Sequence, residues 1–174
     1  MAGMSEQDGN ADHSGVSTSG DGWAHGPNGS RVWGLFGAAG LFLVAGRGQD
    51  ATVLLQHRAA WTAMGNTWGI PGGAREPGED AVAAALRETR EECGIVEADV
   101  EVLGHEVTAG PYEIDQWTYT TVVARCPRPL PTVANEESEE LRWVPLADVA
   151  GLDLLPPFRE SLPRVVEMVR VLNR

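Results

Sequence analysis

Gly73–Ile95 reads GAREPGEDAVAAALRETREECGI, and the stretch RETREECG within it decides the fold. At about 100° per residue, Glu88, Glu91 and Glu92 stand at i, i+3 and i+4, so a helix here carries three carboxylates in one arc. Like charges about 5 to 6 Å apart repel by roughly 1 to 3 kcal/mol per pair, a cost that folding alone does not ask for and that a hard divalent cation would offset. Oxygen-only donors select magnesium, manganese or calcium over zinc. The same helix has a second face. Val82, Ala85, Leu86, Thr89 and Cys93 recur at helical spacing as a stripe that packs on a sheet, and the Thr89 hydroxyl is expected to bond back to a carbonyl one turn earlier. The glutamates fall outside that stripe. Ala84 lies within their arc, where its small side chain leaves room for a ligand.

The ends of the segment are equally legible. Asp80 and Glu79 sit at the helix start, where capping and the dipole favour negative side chains. Gly94 suits the left-handed conformation that stops a helix. Upstream, Trp68-Gly-Ile-Pro-Gly-Gly73 reads as a short strand turning sharply, with glycines where the backbone comes close to a bound group. Arg87, one turn before Glu91, is placed to orient a carboxylate through an ion pair.

Gly73, Glu79, Arg87, Glu88, Glu91, Glu92, Gly94 and Ile95 together resemble the Nudix box, with Thr89 in place of the first hydrophobic position. Eight specified positions at fixed spacing make a far more specific signal than a lone glycine motif. The strand VLLQHR ahead of the box and ESEELRWVPLADV behind it are also similar to the family. The resemblance implies a three-layer α/β/α sandwich around a mixed β-sheet, and hydrolysis of a nucleoside diphosphate linked to another moiety by metal-activated water. It implies Mg2+ as cofactor, with Mn2+ as a substitute, held by Glu88, Glu91, Glu92 and the Gly72 carbonyl. Arg87 and Glu91 would serve catalysis from the box. Family members differ in the source of the general base, and Asn135-Glu-Glu-Ser-Glu-Glu140 offers four glutamates, of which Glu137 is preferred; their plain alternative is a solvated acidic loop. Arg58, at the end of a strand facing the box loop, and Gly73 are the expected substrate contacts. ADP-ribose, dinucleoside polyphosphates and normal or oxidised nucleoside triphosphates all remain open as substrates. Two rivals share the fold: a non-catalytic nucleotide-sensing or protein-binding module, whose box should be damaged, and a diphosphate isomerase, which needs catalytic cysteine and histidine ligands not assembled here.

Composition agrees with one domain and a substantial core: 174 residues, 43% of them hydrophobic. With 13 basic against 25 acidic residues, giving a net charge of −12, the chain is unsuited to binding nucleic acid or an anionic membrane, so a small nucleotide derivative is the expected partner. A homodimer stays open. The two cysteines form no metal or redox motif, and the expected setting is a reduced cytoplasm. Residues 1–29, rich in glycine, serine, aspartate and asparagine, read as a flexible tail ahead of a domain over 30–174. Strands are expected over 32–44, 52–58, 68–70, 100–107, 117–125 and 141–144, and a second helix around the stripe Leu162, Val165, Val166, Val169 and Leu172. Trp33, Trp61, Trp117 and Tyr119 are candidates for stacking on a base, although Trp117, Tyr119, Thr121 and Val123 alternate as a strand face packing into a core.

Overall fold

The structure, a computed structural model, describes residues 18–174. Among the described residues, nine strands and two α-helices follow one another as β1 (Trp23–His25), β2 (Arg31–Trp33), β3 (Ala38–Ala45), β4 (Thr52–Arg58), β5 (Trp68–Gly69), β6 (Gly72–Ala74), α1 (Ala81–Cys93), β7 (Glu101–Ala109), β8 (Tyr119–Cys126), β9 (Ser138–Pro145) and α2 (Pro156–Leu172). The backbone of the main sheet is the order β5-β4-β3-β8-β7, with β6 beside β3 and β9 beside β4. Strands β3 and β8 run parallel, from Ala38 opposite Tyr119 to Ala45 opposite Cys126, while the other pairs are antiparallel. The sheet is therefore mixed, as expected.

Strand β3, AAGLFLVA, is buried at all eight positions, the continuous apolar run of a strand covered on both faces. Alternation divides its side chains between two cores. Phe42 and Val44 join Val53, Leu55 and Val123 beneath Phe158, Leu162, Val165 and Val169 of α2. Ala39, Leu41 and Leu43 join Leu54, Val122 and Ala124 beneath Ala84, Ala85, Leu86 and Cys93 of α1. Helix, sheet and helix thus form the three layers.

The helix signals act as read. Asp80 accepts from the Ala83 N–H at 2.8 Å, Gly94 takes φ 72° and ends α1, and the Thr89 hydroxyl donates to the Ala85 carbonyl at 2.7 Å. One reading changes. Ala84 leaves no ligand space, because it is fully buried in the α1 core.

The stretch read as a tail also differs. Residues 1–17 lie outside the described residues, but β1 and β2 form an antiparallel hairpin pairing Trp23 with Trp33. The Gly20 N–H donates to the Glu76 carboxylate at 3.0 Å, and Trp117 donates its indole N–H to the Trp33 carbonyl at 3.3 Å. Average polarity hid Trp23, which stacks edge to face on Trp33 with centroids 5.1 Å apart, and such a pair contributes beyond its buried area.

Candidate active site

Arg87 is the hub of the site. Its Nε and Nη2 donate to the two Glu79 carboxylate oxygens, both at 2.9 Å. Nη2 also reaches the Ala74 carbonyl at 2.9 Å, and Nη1 reaches Glu88 at 2.9 Å and, more loosely, Glu91 at 3.4 Å. One planar guanidinium thereby ties the turn before the helix to the helix itself, which a lysine could not do with its single ammonium. Its hydrogen bond holds the Glu79 carboxyl below the usual carboxylate range. The Glu76 N–H adds a further bond to Glu79 at 3.1 Å.

The three glutamates of the arc diverge in environment. Glu91 is the outward one, its side chain 49% exposed. Glu88 is mostly covered, its carboxylate lies against Gly73, and burial raises its pKa despite the Arg87 hydrogen bond. A β-carbon on Gly73 would lie 2.6 Å from the Glu88 Oε1, so this glycine is what admits the carboxylate. Glu92 is buried, contrary to the expectation that all three stand clear of the packed face. It accepts from the Gly72 N–H at 3.2 Å. Burial first, then the charges of Glu88 and Glu137, push its pKa up to about 9.

Glu137 arrives from the far side of the sequence. Its loop is fastened to the end of α1: the Val133 N–H donates to the Cys93 carbonyl at 2.9 Å and the Asn135 amide to the Glu91 carbonyl at 3.4 Å. The Asn135 Oδ1 then accepts from the Glu137 N–H at 3.0 Å, and the Ala59 N–H donates to the Glu137 carbonyl at 2.9 Å. These bonds aim its carboxylate at Glu88 and Glu92. Asn135 holds the loop through these bonds, and no sequence signal singled it out beyond its place in an acidic loop.

Among the described residues, no three histidine, cysteine, aspartate or glutamate side chains already stand in ligating positions. Glu88 and Glu91 are turned to Arg87 instead. The donor chemistry nevertheless suits a hard cation. Glu88, Glu92 and Glu137 converge, the first two covered, with the Arg87 guanidinium on Glu88 and only the Gly72 N–H on Glu92, so further positive charge would favour the ionised form of the buried acid.

The remaining expected contacts scatter. Arg58 donates through Nε and Nη2 to the Ala63 carbonyl at 3.2 and 2.8 Å, spanning its own loop. Trp117 is buried and stacks on Tyr112 at 5.6 Å, so the core reading of it holds. Trp33 and Trp61 are exposed. Cys93 and Cys126 are both free and buried, and burial raises the pKa of each thiol, that of Cys126 to about 11.

The family model of the Nudix domain matches residues 35–168. The chain belongs to the Nudix family. A Mycobacterium tuberculosis protein named "Putative 8-oxo-dGTP diphosphatase 3" is 49% identical to this Nudix protein over 150 residues, 84% of this chain and 69% of its own. A "Nucleoside triphosphate pyrophosphatase/Nudix hydrolase fusion protein" of Bifidobacterium longum is 42% identical over 153 residues, which cover 83% of this chain and 30% of that one. Among solved structures, the Nudix hydrolase RenU of M. smegmatis superposes with a TM-score of 0.83 at 46% identity, covering 88% of this chain and 97% of its own. An Ap4A hydrolase of C. elegans, at 24% identity and a TM-score of 0.62, shares the fold. With these relatives the protein is a Nudix pyrophosphohydrolase acting on nucleotide-type substrates, and Nudix hydrolases work with divalent cations. No helix among the described residues is long and apolar enough to cross a membrane.

Proposed function

We propose that the protein is a magnesium-dependent hydrolase of nucleoside triphosphates, oxidised purine nucleotides included, releasing a nucleoside monophosphate and pyrophosphate. The convergence of Glu88, Glu92 and Glu137 around a buried carboxylate carries the chemistry, and the names of the relatives at 49% and 42% identity support the substrate class. Glu88, Glu91 and Glu92, with the Gly72 carbonyl, would hold Mg2+, for which Mn2+ would substitute. The bound cation neutralises phosphate charge and makes water a stronger nucleophile at neutral pH.

The protein's own groups do the rest. Arg87 fixes Glu88 and Glu91 relative to the turn. Glu137, held by Asn135 and Ala59, takes a proton from the attacking water as its oxygen bonds to phosphorus and the phosphoanhydride P–O bond breaks. Arg58 leaves Ala63 to meet a phosphate, and Gly73 lets Glu88 approach the backbone. Free thiols at Cys93 and Cys126 suit a reducing cytoplasm, where nucleotides are made and damaged. We read the domain as residues 30–174 together with the preceding β1, which pairs with β2.

The test incubates the protein and its Glu92→Gln variant with Mg2+ and a panel of normal and oxidised nucleoside triphosphates, ADP-ribose, dinucleoside polyphosphates and sugar nucleotides. Metal-dependent release of monophosphate and pyrophosphate from a triphosphate, lost in the variant, is the expected result. Binding without turnover across the panel would replace the hydrolase with a sensing module, and cleavage of ADP-ribose alone would replace the substrate.

A further inference from the structure

Tyr119 opens β8, and its side chain crosses the neighbouring strand at Gly40. A β-carbon on Gly40 would overlap the Tyr119 hydroxyl and stand 2.9 Å from Ile70 and 3.0 Å from the Pro71 carbonyl oxygen. Glycine at position 40 is therefore what opens the phenol's path across β3, and the hydroxyl ends beside the Pro71–Gly73 turn. The two glycines of that turn meet the carboxylates: Gly72 donates to Glu92, and Gly73 abuts Glu88.

The hydroxyl so placed makes no hydrogen bond among the described residues, although the ring is held by Trp117, centroids 6.5 Å apart, and by contacts with the Ala38 cluster. The hydroxyl lies open to solvent at the edge of a half-buried ring, so an incoming ligand can reach it. Its neighbours narrow the choice. Arg58, Glu88 and Glu92 all act on it electrostatically. Burial and the carboxylates raise its pKa above that of an ordinary phenol, so it remains a donor throughout the working range of the enzyme. A donor within electrostatic reach of the Arg58 guanidinium, on the rim of the carboxylate cluster to which the phosphates must come, suits an anionic oxygen.

We propose that Tyr119 is a substrate-binding residue of this pyrophosphohydrolase, its hydroxyl donating to a non-bridging oxygen of the nucleotide's phosphate chain. The assignment rests on the hydrolase reading above and adds a contact from β8, outside the box. In this arrangement the carboxylates face the phosphate chain from α1, while Tyr119 and Arg58 meet it from the strands. Gly40 belongs to the same device, because any larger residue there would push the phenol off its course.

Tyr119→Phe removes the one oxygen and leaves the ring. With Mg2+ and a deoxynucleoside triphosphate, kcat/KM should fall about 10- to 100-fold, the range of a hydrogen bond to a charged acceptor, while the thermal midpoint stays within about 2 °C. Inorganic tripolyphosphate, which has phosphates but no base or sugar, should lose inhibitory strength by a similar factor. A change in kcat/KM below twofold would overturn the proposal. Weaker nucleotide binding with tripolyphosphate inhibition unchanged would overturn it equally, since the partner would then be base or sugar. If the wild type hydrolyses nothing on the panel, the hydrolase reading fails, and calorimetric binding of Mg2+-tripolyphosphate to both proteins still decides for or against the contact. Should the variant not fold, fluorotyrosine-labelled wild-type protein serves. Its two tyrosines are assigned with Tyr112→Phe, and the Tyr119 fluorine signal should move on adding Mg2+-tripolyphosphate; an unmoved signal would sink the idea.

Discussion

Glu92 gives the sharpest quantitative expectation. In the metal-free protein its pKa stands at about 9 against an ordinary 4.5, so at pH values between the two the native state holds a proton that the unfolded chain has released. The unfolded state then binds fewer protons, and stability falls as pH rises through this window. The contribution of this group is fully favourable below about pH 4.5 and is progressively lost towards pH 9. At pH 7.5 the loss spans three pKa units, or about 4 kcal/mol at 1.36 kcal/mol per unit. Glu92→Gln replaces the neutral acid with an amide of nearly the same shape, which keeps an acceptor for the Gly72 N–H and has no proton to lose. Without divalent cations the variant should therefore be the more stable protein at pH 7.5, by about 2 to 4 kcal/mol, or about 5 to 15 °C in thermal midpoint. The advantage should shrink towards pH 5. Thermal melts in chelator at pH 5, 6, 7.5 and 8.5 measure it. A variant no more stable at pH 7.5 than at pH 5, relative to wild type, would refute the reasoning. Adding Mg2+ should reverse the order, because only the wild type has a carboxylate there for the ion to stabilise, and the variant's turnover should drop by orders of magnitude.

Arg87→Lys keeps the charge but loses the paired bonds to Glu79 and the reach to Ala74; it should cost about 1 to 3 kcal/mol in denaturant melts and lower kcat at least tenfold. Gly73→Ala places a methyl against the Glu88 carboxylate, a flexible neighbour that can yield, so the fold should persist within about 1 kcal/mol while metal-dependent turnover falls; equal losses of both would contradict this. Asn135→Ala frees the Glu137 loop without touching the core, and kcat should drop about 3- to 30-fold with an unchanged thermal midpoint, reflecting the sensitivity of rate to small misplacements.

The helix α1 was legible because its signals are local. Asp80, Thr89 and Gly94 each satisfy backbone groups within one turn, and the apolar stripe repeats with the helical period, so the sequence contains all the information those features need. What the period cannot state is the object facing each arc. Glu92 and Glu91 are adjacent, yet β6 crosses over one and leaves the other outside. Glu137 lies 45 residues beyond Glu92 and reaches it through bonds between the 133–137 loop and the last turn of α1, a tertiary arrangement with no local code. The hairpin was missed for the opposite reason: its glycine and serine content matches a solvated chain, and only the specific pairing of Trp23 with Trp33 outweighs it.

That hairpin matters to anyone who makes this protein. A shortened version beginning at residue 30 would strip the edge-to-face partner from Trp33 and the backbone donor from Glu76, the residue whose own N–H fastens Glu79. Bare tryptophan at the margin of the sheet invites self-association, and a loosened Glu79 slackens the grip of Arg87 on the box. Expression boundaries drawn by composition would thus loosen this clasp, whereas a start that keeps residues 18–33 retains Gly20, Trp23 and Trp33.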